Sequence, residues 1–131
     1  MLFDKFKGFT KGVWLNMTPE KKFENQIKGY LDSIGAWFIK YWAGSQFTKS
    51  GIPDLLCCVN GYFVAIEVKA DNGKPTPLQL HNIRKIRESG GFAFVVYPSG
   101  FNELKEILAD LKLGYFSNDL KEVLRWVKLM K

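Results

Sequence analysis

Ser50-Gly51-Ile52-Pro53-Asp54-Leu55-Leu56, and then Tyr62-Phe63-Val64-Ala65-Ile66-Glu67-Val68-Lys69, read as core strands with charges set into them. Asp54 opens one apolar run, while Glu67 and Lys69 interrupt a second that would otherwise be continuous. Alternate residues of a strand share a face, so Glu67 and Lys69 point the same way. An unpaired carboxylate or ammonium in an apolar layer costs on the order of several kcal/mol unless it is paired or ligated. Two carboxylates and a lysine at a strand edge therefore suggest a site for a divalent cation.

Working outward, Asn60-Gly61 between the two runs favours a tight turn, so Asp54–Val59 and Tyr62–Lys69 form an antiparallel hairpin. Upstream, Thr18-Pro19 is a helix start, and Phe23, Ile27, Tyr30, Leu31 and Ile34 recur at helical spacing until Gly35 ends the segment. Ala36–Trp42 is aromatic-rich and reads as a first strand, followed by a polar loop over Gly44–Gly51. Downstream, a helix over Pro77–Ser89 stops at Gly90-Gly91, and Phe92–Tyr97 is a fourth strand. Amphipathic helices near Asn102–Leu113 and Asn118–Met130 finish the chain. The order helix, three strands, helix, strand predicts a small α/β fold around a mixed sheet. The expected division is an N-terminal arm over 1–17, a core over 18–100, and C-terminal helices over 101–131 packed on the same domain.

The chain has 131 residues, 47% of them hydrophobic, which suits one packed core. Lys and Arg number 19 against 13 Asp and Glu, a formal charge of +6. If several acids hold a metal, the remaining surface is more basic still, which favours a polyanionic partner; composition alone would sooner fit an ordinary soluble basic protein. Neither a membrane-spanning apolar run nor a signal-peptide pattern is present, so an intracellular protein is expected. Adjacent Cys57 and Cys58 should face opposite sides of a strand, which argues against a disulfide or zinc cluster and for two small core residues.

Gly51-Ile52-Pro53-Asp54, Glu67-Val68-Lys69-Ala70 and the downstream Gln79, on this order of elements, resemble the PD-(D/E)XK nuclease superfamily. Within it they look most like the virus-type replication-repair nuclease (VRR-NUC) domain, over roughly Lys21 to Tyr97. The resemblance implies a restriction-endonuclease-like core, with Asp54, Glu67 and the Val68 carbonyl as ligands of Mg2+ or Mn2+. It assigns Lys69 to the attacking water or the phosphate charge, Glu24 of the first helix to the metal shell, and Gln79 to the edge of the site. It further implies a 5′-phosphate product, branched DNA as substrate, similarity to dimeric Holliday junction resolvases, and a phage or mobile-element origin. No nucleotide cofactor and no membrane are expected.

Plainer roles stand beside these. Asp54 could be a turn residue after Pro53. Lys69 could simply neutralise Glu67. Glu24 could form an exposed pair with Lys28, four residues on, and Glu20 is an alternative for its role. Gln79 fits a capping box with Thr76. Lys49, Ser50, Lys74, Arg84, Lys85 and Arg87 flank the motifs as a candidate backbone-binding array, although each cation alone could be solvated surface. Tyr41 and Trp42 could stack on an unpaired base, with core packing the simpler use. A non-catalytic DNA-binding module and a flap or nick nuclease are the alternatives to a junction endonuclease.

Overall fold

The computed structural model describes residues 10–46 and 48–114. A short helix α1 (Lys11–Asn16) leads into α2 (Pro19–Ser33). Strands β1 (Trp37–Lys40), β2 (Leu55–Val59) and β3 (Tyr62–Val68) follow, then α3 (Pro77–Glu88), β4 (Phe92–Val96) and α4 (Phe101–Leu113). The sheet runs β1-β2-β3-β4. The first two pairings are antiparallel, and the third, reached through α3, is parallel.

Local chemistry sets the boundaries. Thr18 accepts from the Lys21 amide at 3.2 Å with Pro19 next to it, and Thr76 with Gln79 closes a full capping box ahead of Pro77. Asn60 and Gly61 both take positive φ, 50° and 83°, which the tight hairpin turn requires. That turn fixes the register that places Leu55 opposite Ile66, so Asp54 falls beside Glu67.

Strand alternation divides the interior in two. Val64, Ile66 and Val68 face α2 and α4, joining Phe23, Ile27, Leu31, Leu104, Ile107, Leu108 and Leu111. Ala65 faces the other way, with Ala93 and Val95, onto Ile83 of α3. Glu67 shares that second face. Leu108 is fully buried in the larger cluster. Leu108→Ala is expected to destabilise the fold by about 2–5 kcal/mol, read as a lower denaturant midpoint at unchanged slope.

Several expectations need correction. β1 stops at Lys40 rather than Trp42, although the Tyr41 amide still donates to the Asp54 carbonyl at 2.7 Å. Trp42 is 70% exposed and does not serve the core. Trp37 and Ile39 are also exposed, because α3 covers β3 and β4 rather than β1. Cys57 is buried, which pushes its thiol up to about 12, whereas Cys58 is exposed and is not a core residue. The arm carries α1, capped by Thr10 and buried through Trp14. Residues 1–9 and the helix expected near Asn118–Met130 lie outside the described residues.

Candidate active site

Asp54, Glu67 and Lys69 meet where β2 begins and β3 ends. Asp54 Oδ2 accepts from the Val68 amide at 2.8 Å, and Oδ1 from Lys40 Nζ at 3.0 Å. The aspartate thus ties the strands together beyond the last ladder pair, and is more than a turn residue. In a strand, a residue's N–H and C=O point to the same edge, so the Val68 carbonyl is directed toward Asp54 as well.

Glu67 is 2% exposed. Its Oε1 accepts from Gln79 Nε2 at 3.0 Å and lies 3.5 Å from Lys69 Nζ. Its Oε2 is buried without a hydrogen-bond partner among the described residues. Burial, reinforced by the neighbouring Asp54 and only partly opposed by Lys69, pushes the Glu67 carboxyl up to about 8. A buried acid held beside another acid, with one oxygen unpartnered, is a donor set that fits a hard cation.

Lys69 is fixed at its backbone and along its stem. Its amide donates to the Val96 carbonyl at 3.0 Å, and its stem runs beneath Gly73, where a Cβ would stand 3.4 Å from Lys69 Cδ. Tyr97 pins that loop by donating to the Gly73 carbonyl at 2.8 Å. Gln79 serves two ends at once: its amide oxygen caps α3 at the Thr76 N–H, 2.8 Å away, while its amide nitrogen holds Glu67.

Glu24 is neither exposed nor paired with Lys28 alone. It is buried on α2, with Lys21 at 2.8 Å and Lys28 at 3.2 Å on Oε2, and Lys40 at 2.5 Å on Oε1. Burial raises its carboxyl, but the hydrogen bonds from Lys21 and Lys40 and the charges of Lys40 and Lys28 outweigh it and bring the group down to about 2. No group of three or more His, Cys, Asp or Glu able to hold a metal is gathered among the described residues. Glu24 approaches Asp54 only across Lys40. Glu20 is exposed in the first turn of α2.

Lys40 is the residue that sequence reasoning missed. Its position on β1, two residues from Phe38 and hence on the core-facing side, was the available signal. Lys49, Ser50, Lys74 and Arg84 are exposed, and Lys85 pairs loosely with Glu88 at 3.4 Å. Arg87 departs from this array. It is half-buried and donates through Nε and Nη2 to the Ala93 carbonyl, at 2.8 and 2.5 Å, and burial brings its guanidinium down to about 10.

A mixed four-stranded sheet flanked by helices, with an aspartate and a Glu-x-Lys at adjoining strand ends, defines the chain as a PD-(D/E)XK-type nuclease. Residues 18–105 match the family model described as archaeal Holliday junction resolvase (Hjc), and the chain belongs to that family. Its members are structure-specific nucleases that act on Holliday junctions, which sets the reaction class as endonucleolytic cleavage of DNA. No curated protein and no solved structure matches the chain. No helix among the described residues is long and apolar enough to cross a membrane.

Proposed function

We propose that the chain hydrolyses one phosphodiester bond at a DNA branch with a divalent cation, Mg2+ or Mn2+, held by Asp54, Glu67 and the Val68 carbonyl. The observation that carries this reading is the buried Oε2 of Glu67, beside Asp54 and without a partner among the described residues, while Lys69 lies 3.5 Å from the other oxygen. When bound, the cation supplies charge neutralisation at the scissile phosphate and polarises its oxygens.

The chain's own groups do the rest. Gln79 holds Glu67 in one orientation, and the Val68 amide and Lys40 hold Asp54. Lys69 presents a fixed ammonium where negative charge grows on the phosphate. A water oxygen forms the new bond to phosphorus as the bond to the 3′ oxygen breaks. The water proton is lost and the departing oxygen gains one, leaving a 5′-phosphate and a 3′-hydroxyl. Lys49, Ser50, Lys74, Arg84 and Lys85 supply backbone contacts; Arg87 is engaged by Ala93.

Within the superfamily, Gly51-Ile52-Pro53-Asp54 and Gln79 support a VRR-NUC-like variant of the resolvase core, as in compact mobile-element nucleases. Paired cuts across a junction suit two copies related by a two-fold axis. DNA as the substrate supports an intracellular setting. Residues 18–100 form the nuclease unit in this reading, with α4 completing its core and residues 1–17 an arm.

Purified protein should be incubated with a labelled four-way junction, a flap and a plain duplex, in EDTA, Mg2+ or Mn2+, beside Glu67→Ala. We expect metal-dependent cutting of the junction that is lost in the variant. Preferred cutting of the flap would replace the junction reading with a flap nuclease. Binding of every substrate without cleavage under any metal would leave a binding module instead.

A further inference from the structure

We infer that Lys40 is a built-in cation of the candidate site: its ammonium fills the place between Glu24 and Asp54, so the site takes a single divalent ion and Glu24 acts on it only through Lys40. This deepens the metal-dependent reading above and rests on it.

The two buried glutamates, Glu24 and Glu67, differ in what their oxygens meet. Each oxygen of Glu24 already faces at least one ammonium, Oε1 that of Lys40 and Oε2 those of Lys21 and Lys28. Glu67 has one oxygen with no partner among the described residues. A metal entering on the Glu24 side would have to displace a short ion pair, whereas on the Glu67 side it would satisfy an acceptor. The demand for further positive charge therefore lies with Glu67, and Asp54 beside it already shares Lys40.

Lys40 also does work that a metal ion does in carboxylate clusters. Nζ stands 2.5 Å from Glu24 Oε1 and 3.0 Å from Asp54 Oδ1, joining α2 to the residue before β2. With Oδ1 so held, Oδ2 is turned to the Val68 amide, and Asp54 keeps one orientation at the end of β3. Lys40 and Glu24 are thus positioning residues. Take the ammonium away and two carboxylate oxygens from different elements face one another, an arrangement that itself fits a divalent ion.

Manganese titrations of the full chain, followed by the loss of the free Mn2+ electron paramagnetic resonance signal and by calorimetry, test this. Wild type and Lys40→Arg are expected to bind one Mn2+ per chain. Lys40→Met should bind two, and Lys40→Met with Glu24→Gln should return to one. Glu24→Gln alone should keep its single ion, weakened by about 10-fold as for an outer-shell change. Two ions in wild type, one in Lys40→Met, or complete loss of binding in Glu24→Gln would each overturn the inference. Wild type requires no refolding control, so its stoichiometry decides even if Lys40→Met melts early. A wild type that cuts junctions and binds two ions sinks this inference alone. One that binds none sinks the metal reading with it.

Discussion

Lys69→Met is expected to lower the single-turnover rate of junction cleavage by about 100- to 1,000-fold at saturating metal, the loss seen when one preorganised charge-stabilising donor is removed. Methionine keeps the length and the apolar stem that packs beneath Gly73, so the loop held by Tyr97 should stay in place. Junction affinity should change little, because one phosphate contact is a small part of an electrostatic interaction spread over many. Lys69→Arg should not restore the rate. The guanidinium is longer and planar, and Lys69 is only 13% exposed, leaving it little room. A Lys69→Met rate within about threefold of wild type, under 1 kcal/mol of barrier, would reduce Lys69 to the ion-pair partner of Glu67.

The sequence discloses whatever depends on neighbours along the chain. Asn60-Gly61 can hardly be anything but a tight turn, and once it is one, period two alone puts Asp54 beside Glu67. Thr18-Pro19 and Thr76-Pro77 with Gln79 are local hydrogen-bond chemistry, so both helix starts follow from it. Lys40 was hidden for the opposite reason. Its two partners are 16 and 14 residues away, and only the β1–β2 pairing, Lys40 opposite Leu55, brings it beside Asp54.

Glu24 shows how a local rule can be right and still mislead. The Lys28 pair four residues on does form, at 3.2 Å, but helix spacing cannot report that Glu24 itself is buried, beside a strand that also carries a lysine. Arg87 and Trp42 fail in complementary ways. A charged residue turns inward because the Ala93 carbonyl needs a donor, and an aromatic stays outside because β1 stops at Lys40, two residues before it. For Glu24 and Arg87 the missing information is which surface a neighbouring element covers.

Glu67→Gln is expected to reverse the order of stability between wild type and variant according to whether metal is present. In the folded, metal-free chain the Glu67 carboxyl titrates near 8 instead of 4.5, because it is buried and beside Asp54. Between these values the folded state keeps a proton that the unfolded chain has released. Stability due to this group is therefore full below about 4.5 and lost as pH rises through about 8, at a slope of up to 1.4 kcal/mol per pH unit. Glutamine cannot ionise, and its side-chain oxygen can still accept from Gln79. In EDTA the variant should show a flatter profile and a higher melting temperature near the upper end of that range. Metal should invert this: an ion at 100 times its Kd stabilises wild type by about 2.7 kcal/mol and the variant scarcely at all. Melting curves at several pH values, with and without Mn2+, read both halves. If wild type is the more stable protein in EDTA at the high-pH end, Glu67 is satisfied by Lys69 alone and the carboxylate is a structural ion-pair member. If the order inverts on adding Mn2+, the instability of the empty pair is the signature of a site shaped for a cation, where function is retained against the stability of the metal-free fold.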